Sequence, residues 1–199
     1  MKKFKLNNRT IVLASHNTGK IAEFESLFSK YNVNIQTISV LGIKDIDETG
    51  KTFEENAVIK VKTVPDGSIG LSDDSGLSIK SLNNAPGIYS ARYAKKIGGW
   101  SKAMKELYSK AKKKNSFSAT FHCVLALKSE NSEISIFKGE VNGKIVWPPR
   151  GENGFGYDPF FIPWNSKKTF GEMFHKKKIL QDHRFEAFKK MAKFHLTDS

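Results

Sequence analysis

The sequence predicts an α/β protein, and two patterns carry this prediction. Short continuous apolar runs, typical of strands buried on both faces, alternate with segments whose apolar residues recur at helical spacing. In the second half of the chain, two longer runs flank a short polar segment, as in a hairpin. A chain of 199 residues is long enough to bury a substantial core, as one large domain or two closely packed lobes.

Composition narrows the classes of function. The sequence has 39% apolar and 12% aromatic residues, which indicates a globular protein. The net charge of +13 favours an anionic partner, and nucleotides, nucleic acid and acidic membranes all qualify. We find no signal peptide and no apolar stretch near the roughly 20 residues of a membrane span, so we expect a soluble cytoplasmic protein. The single cysteine, Cys123, lies in an apolar run and is predicted to be a buried thiol.

The first predicted strand, residues 10–14, leads through a polar loop at residues 15–20 into a helix. Strand, glycine-containing loop and helix in this order form a natural phosphate site, because free N–H groups of the helix point at the loop. The loop is not a Walker A motif, since Ala14 replaces its first glycine and Ile21 follows Lys20. An ordinary strand–helix turn is the alternative.

A second strand is predicted at residues 33–38, followed by an acidic loop at residues 45–50. Thr52 with Glu55 three positions later resembles a capping box, which predicts a helix that runs through Lys62.

The third strand, residues 68–71, is predicted to end in two adjacent carboxylates, Asp73 and Asp74, with a turn at residues 75–76 before another short run. Carboxylates at the mouth of a strand can hold a hard cation such as Mg²⁺. A plain turn is the alternative, since Asp, Ser and Gly all favour turns.

The remaining elements are one helix, a strand pair, a loop, a short strand at residues 160–162 and a terminal helix. Residues 94–114 have helical spacing, and residues 116–127 and 133–147 are the two long strands. The loop at residues 147–159 contains glycine-flanked aromatics that either stack on a flat base or pin the loop by their own burial. The terminal helix is predicted to begin near His183.

Five segments of the chain, taken together, closely resemble the inosine triphosphate pyrophosphatase family, also called the non-standard purine NTP pyrophosphatases. They occur in the family's order and at matching intervals over about residues 10–190. The segments are residues 15–20, residues 48–50 with 53–57, residues 72–77 with 85–92, residues 154–159, and His183 with Arg184.

The resemblance implies a fold and an activity. The fold would be an elongated mixed central β-sheet flanked by helices, with two lobes and a cleft between them, in a single domain over residues 1–199. The activity would be Mg²⁺-dependent hydrolysis of ITP, dITP and XTP to the monophosphate plus pyrophosphate, which cleanses the nucleotide pool. The protein would be a homodimer that needs neither nucleic acid nor a membrane.

The resemblance also implies roles for individual residues. The triphosphate would be held by Ser15, His16, Asn17, Thr18, Gly19, Lys20, Lys60 and Lys178. Ser75 resembles a substrate contact, and His183 and Arg184 resemble the readers of the purine 6-oxo group. The base-stacking segment would be Phe155, Gly156, Tyr157 and Asp158. Asp74 matches the catalytic, metal-binding Asp, Asp47 falls where the family often has a metal-binding Glu, and possible support comes from Glu48, Glu55 and Asp73.

The chemistry of these residue types agrees with those roles. Lysines can neutralise a triphosphate while Mg²⁺ bridges its oxygens. Two adjacent carboxylates raise one pKa unless a cation intervenes, so our hypothesis is that Asp74 orients or deprotonates the attacking water and Asp73 supports it. Arg184 has only hydrogen-bond donors, so it should donate to the 6-oxo oxygen of the base and reject adenine, which has an amino donor at that position.

Three positions are notable within this resemblance. Asp47 is one methylene shorter than Glu. The metal contact at this position would therefore be direct, be made through water, or be made by Glu48 instead. Asp182 stands where the family usually has Ser, and it could pair with Arg184 or Lys178. His16 is interpreted as scaffolding of its loop.

Two other functions fit part of the sequence. A basic nucleic-acid-binding domain would use the positive charge and the loop aromatics, but it leaves the carboxylates unexplained. A Maf-like pyrophosphatase of modified nucleotides would have a similar architecture.

Overall fold

The computed structural model describes residues 4–44 and 46–196, and its centre is a six-stranded sheet. The strands are β1 (Arg9–Leu13), β2 (Val33–Thr37), β3 (Ile69–Ile79), β4 (Ser118–Lys128), β5 (Ile134–Ile145) and β6 (Phe161–Pro163). The helices are α1 (Thr18–Phe28), α2 (Phe53–Val61), α3 (Ser90–Ile97), α4 (Trp100–Lys113), α5 (His175–Lys178) and α6 (His183–His195). Asp45, part of the predicted acidic loop, lies outside the described residues.

The sheet has the strand order β2-β1-β3-β4-β5-β6. β1 pairs in parallel with β2 and with β3, whereas β5 and β6 pair antiparallel, so the sheet is mixed. The prediction of an α/β fold with a mixed sheet flanked by helices is therefore confirmed. Among the described residues, no helix is both long enough and apolar enough to span a bilayer.

Contacts between Cα atoms divide the chain into two compact units. The first unit contains the described residues up to 74 together with 123–139 and 184–196, and the second contains residues 75–122 and 140–183. The core of the first unit includes Val12, Ala14, Ile38 and Val64, and a second cluster around Ala57, Val61, Val124 and Ala126. The core of the second unit is rich in aromatic residues, among them Phe121, Tyr157, Phe160, Phe161 and Phe170.

The predicted turn at residues 75–76 is wrong, because β3 continues without interruption from Ile69 to Ile79. Every residue of this strand except Ser75 is buried, so Asp73 and Asp74 lie in its middle rather than at its end. Buried carboxylates are tolerated only when they are paired with opposite charges, and both of these are. Local turn preferences could not reveal that pairing.

The single helix predicted for residues 94–114 is also wrong, since α3 and α4 are separate helices. Gly98 and Gly99 have φ angles of 88° and 115°, in the left-handed region that ends helices. The Gly99 N–H donates to the carbonyl oxygen of Ala94 at 2.8 Å, which closes the end of α3. On α4, Met104, Leu107 and Ala111 of the predicted apolar face are buried, whereas Trp100, the fourth residue of that set, is 38% exposed.

The other predicted elements are observed with small shifts at their ends. Thr52 caps α2 by accepting a hydrogen bond from the Glu55 N–H at 3.1 Å. The Glu55 carboxylate completes no capping box, because it accepts from the Lys51 N–H at 2.6 Å instead. β4 and β5 are neighbours in the sheet, as expected of the predicted strand pair.

Candidate functional site

The predicted site residues fall into both units. The first unit contains Ser15, His16, Asn17, Thr18, Gly19, Lys20, Asp47, Glu48, Glu55, Lys60, Asp73, Asp74 and Arg184. The second unit contains Ser75, Phe155, Gly156, Tyr157, Asp158, Lys178 and His183.

The loop at residues 15–20 joins β1 to α1 and is held by its own side chains. The Asn17 side-chain oxygen accepts a hydrogen bond from the Lys20 N–H at 3.0 Å, which caps the start of the helix. His16 Nδ1 lies 2.8 Å from the hydroxyl oxygen of Ser39, a contact that fits its interpretation as loop scaffolding. The strand–loop–helix arrangement predicted for this segment is confirmed.

Asp73 is buried at the meeting point of three partners. Its carboxylate forms an ion pair with Lys20, accepts from Arg184 Nη2 at 3.1 Å and accepts from the Cys123 thiol at 3.1 Å. Burial alone would raise the pKa of Asp73, but Arg184, Lys20 and Lys60 together lower it below the ordinary value of 3.8. Asp73 is therefore a permanent anion that fixes the ammonium group of Lys20.

Cys123 is buried, as predicted, and it is not a nucleophile. Burial and the neighbouring Asp73 carboxylate raise its pKa well above 9.0, so the thiol keeps its proton. Its function in this site is to donate a hydrogen bond to Asp73.

Asp74, next in the sequence, has a different environment. Its Oδ1 accepts a hydrogen bond from Lys60 Nζ at 2.9 Å, and the same ammonium group donates to Glu48 Oε1 at 2.7 Å. Burial, with a smaller contribution from Glu48, raises the pKa of Asp74 to about 6 despite the opposing effect of Lys60 and Lys20. A buried carboxyl group that titrates near neutral pH is suited to general base chemistry.

The donor set beside Asp74 fits a hard divalent ion. Glu48 and Asp74 supply carboxylates that already share one cation, and Asp74 Oδ2 is buried with no hydrogen-bond partner among the described residues. Mg²⁺ is commonly held by one or two carboxylates together with substrate phosphates and water. Within residues 4–44 and 46–196, no three His, Cys, Asp or Glu side chains form a ready-made cage.

Glu48 and not Asp47 is the acidic-loop residue that joins this cluster. Asp47 is exposed, whereas Glu48 shares Lys60 with Asp74. Of the alternatives left open by the shorter side chain at position 47, the contacts favour replacement by Glu48. Glu55 is exposed and caps the backbone of Lys51.

Sequence reasoning missed Glu23, which is buried on α1 and pairs with Arg184. Arg184 is fully buried, and its guanidinium group contacts Glu23 and Asp73. A signal was available, since Glu23 lies on the same helical face as Phe24 and Leu27. The assignment of Arg184 as a reader of the base stays a prediction.

In the second unit, Lys178 is the centre of another buried ion cluster. Its ammonium nitrogen is 2.9 Å from Asp158 Oδ2 and 3.7 Å from Asp182 Oδ2, and it lies 5.0 Å from the centre of the Phe155 ring. Asp182 thus pairs with Lys178, one of the two partners expected for it. Asp158 Oδ2 also accepts from the Phe155 N–H at 2.8 Å, which shapes the glycine-rich loop.

The aromatic residues of this loop have different environments. The ring of Tyr157 is buried against Trp100, with ring centres 4.9 Å apart and an edge-on arrangement, so it pins the loop. Phe155 is only partly buried, so its ring keeps the stacking role as a prediction. His183 is buried and stacks on Phe121 at 4.6 Å.

Comparisons with known proteins agree on one family. A model described as the Ham1 family matches residues 11–194. The chain is 41% identical to the dITP/XTP pyrophosphatase of Agrobacterium fabrum (94% of this chain and 96% of that protein) and 39% identical to the protein of the same name in Zymomonas mobilis (96% and 93%). Among solved structures, a HAM1 protein from Coxiella burnetii is 37% identical with a TM-score of 0.83, and it covers 92% of this chain and 96% of its own. The Staphylococcus aureus Ham1 protein is also 37% identical, with a TM-score of 0.81 (93% and 97%).

Proposed function

This chain belongs to the Ham1 family, and from that premise we propose that it hydrolyses ITP, dITP and XTP to the monophosphate plus pyrophosphate with Mg²⁺ as cofactor. The resemblance to the inosine triphosphate pyrophosphatase family is confirmed by its relatives, which are named dITP/XTP pyrophosphatases. The chain is accordingly an enzyme, a nucleoside triphosphate pyrophosphatase. The three substrates, the metal and the cytoplasmic cleansing of nucleotide pools are the proposal.

The observation that carries this proposal is the environment of Asp74. A carboxyl group with a pKa raised to about 6 lies beside Lys60 and Glu48, and the adjacent Asp73 binds Lys20. Attack of water on a phosphorus atom needs a base, positive charge for the phosphate oxygens and a metal ion. In the proposal, this one cluster would supply the first two, and its donor set suits the third.

Each residue of the cluster has a role in the proposal. Asp74 accepts the proton of the attacking water, and Lys20 and Lys60 neutralise the phosphates. Glu48 and Asp74 would hold Mg²⁺, which when bound neutralises charge on the phosphate oxygens. Asp73 has an indirect role, because it holds the Lys20 ammonium group in place.

The residues of the second unit that were assigned to the substrate have their own proposed roles. Phe155 would stack on the base, Lys178 would bind the triphosphate, and His183 would contact the purine 6-oxo group. Ser75 would contact the substrate. We also propose that the chain is a single catalytic domain of two lobes and that it acts as a homodimer.

The experiment is pyrophosphate release from a panel of ITP, dITP, XTP, GTP, ATP and dTTP, with Mg²⁺ and with excess chelator. We expect strong release from the first three, and its loss with chelator. No release from ITP and XTP would contradict the proposal. Release from dTTP instead would favour a Maf-like enzyme, and tight, salt-sensitive RNA binding without release would favour a nucleic-acid-binding domain.

A further inference from the structure

The Lys60 ammonium group lies between two carboxylates, in a position that would suit a metal ion. Its ammonium nitrogen donates to Asp74 Oδ1 at 2.9 Å and to Glu48 Oε1 at 2.7 Å. These two carboxylates come from different parts of the chain, the middle of β3 and the loop before α2, and the ammonium group joins them. The side chains of Lys60 and Asp74 are 13% and 5% exposed, so water screens their charges weakly.

We propose that Lys60 competes with a divalent cation for the carboxylates of Glu48 and Asp74, and that binding of the cation frees the Lys60 ammonium for the substrate phosphates. This inference rests on the proposed function, because it takes these two carboxylates as the metal ligands.

Charge counting supports the competition. The two carboxylates share the one ammonium group of Lys60, and Asp74 Oδ2 is buried with no hydrogen-bond partner among the described residues. A divalent ion would neutralise both carboxylates. The ion would then repel the ammonium group, and the neutralised carboxylates would no longer attract it.

Lys60 can make the exchange without unfolding its surroundings. It lies in the last turn of α2, and its ammonium group ends a flexible four-carbon stem. A triphosphate that arrives with its metal would accept the released charge. Metal binding and phosphate binding would therefore be coupled, because the metal releases the Lys60 ammonium group and the released group binds the phosphates.

The test uses Mn²⁺ alone as the probe, followed by electron paramagnetic resonance without nucleotide. Mn²⁺ takes the same oxygen ligands as Mg²⁺. The measurement is made at about pH 8, above the raised pKa of Asp74, so that the Asp74 carboxyl group is ionised. We expect Lys60→Gln to bind Mn²⁺ about tenfold more tightly than the unmodified chain, because a competing charge is gone. Lys60→Arg, which keeps the charge, should stay within about threefold of the unmodified chain.

Two further variants separate this inference from the proposed function. Lys62→Gln removes an exposed positive charge two residues away and should leave Mn²⁺ affinity unchanged, which controls for the general field. Glu48→Gln should weaken Mn²⁺ binding. If Glu48→Gln has no effect, the metal is bound elsewhere, and both this inference and the proposed metal site are wrong. If it weakens binding but Lys60→Gln does not tighten it, only the competition is wrong.

A measurement on the unmodified protein keeps the inference testable should Lys60→Gln fail to fold. Acetylation of lysines, read by mass spectrometry, should increase at Lys60 when Mn²⁺ is added and stay constant at Lys62. An unchanged rate at Lys60 would contradict the release of its ammonium group.

Discussion

Asp73 and Asp74 are adjacent in the sequence, yet their pKa values shift in opposite directions. Successive side chains of a strand point to opposite faces, so Asp73 contacts Lys20 and Arg184 whereas Asp74 contacts Lys60. The sequence predicted that one of the two pKa values would rise through repulsion between them. The rise is at Asp74, but burial is its main cause.

The first prediction concerns Asp74. Replacing Asp74 by Asn removes the proposed base and a proposed metal ligand, so we expect turnover of ITP to fall by about 10²- to 10⁴-fold. Steady-state pyrophosphate release measures this, and the thermal unfolding midpoint checks that the fold is kept. Near-normal turnover by a folded Asp74→Asn variant would show that Asp74 is not the base.

The second prediction concerns the buried Arg184. Replacing it by Gln leaves Glu23 and Asp73 without their shared cation, so the free energy of unfolding should fall by about 3–5 kcal/mol. Arg150→Gln is the matched control, since Arg150 forms a partly exposed pair with Glu172 and its loss should cost about 1 kcal/mol or less. Urea unfolding measures both. Equal losses would mean that the buried cluster contributes no more than a surface pair.

At the scale of elements, the sequence predicted the parts whose signals are local. The start of α1 and the Thr52 cap of α2 could be predicted because neighbouring residues determine them. β3 could not, because the pairing that holds its carboxylates in a buried strand comes from Lys20 and Lys60, which belong to other elements of the fold. The break between α3 and α4 was visible as Gly98–Gly99, but helical periodicity continues across it.

The third prediction concerns the end of α6. His195 is buried, its Nδ1 donates to the Phe4 carbonyl oxygen at 2.8 Å, and its ring packs against Phe4 and Phe137. Burial lowers its pKa below the ordinary 6.5, so between the two values the unfolded chain binds the extra proton. The contribution of His195 to stability is therefore present above 6.5 and is lost as the pH falls below it.

Unfolding by urea at several pH values tests this contribution. Asp74 acts in the opposite sense, because its raised pKa makes the folded state bind a proton first as the pH falls. The unmodified chain is therefore compared with His195→Gln. Between about pH 7 and pH 5.5, acidification should lower the free energy of unfolding of the unmodified chain relative to that of His195→Gln. Parallel curves would rule out His195 as the cause.

At the scale of the whole molecule, charge is distributed in two ways. The three lysines assigned to the triphosphate are each paired with carboxylates in their own unit: Lys20 with Asp73, Lys60 with Asp74, and Lys178 with Asp158. The net charge of +13 must therefore come from other, mostly exposed side chains. Composition predicted an anionic partner, but it could not show that the lysines of the candidate site are already neutralised.

The fourth prediction follows from that exposed charge. It should attract a nucleotide from a distance, so raising the salt concentration should lower kcat/KM several-fold and leave kcat almost unchanged. Steady-state kinetics with ITP, with added NaCl or with an equal osmolarity of sucrose as the control, measures the effect. A parallel fall of kcat would place the salt effect on the chemical step instead.

The burial of the Cys123 thiol has a practical consequence. Because the chain's only thiol is buried and keeps its proton, maleimide dyes should leave the native protein unlabelled and react only once it unfolds. A cysteine introduced at an exposed position such as Lys62 would then carry a fluorophore without background labelling. Because Cys123 reacts only when its surroundings open, its rate of labelling measures how often the first unit opens.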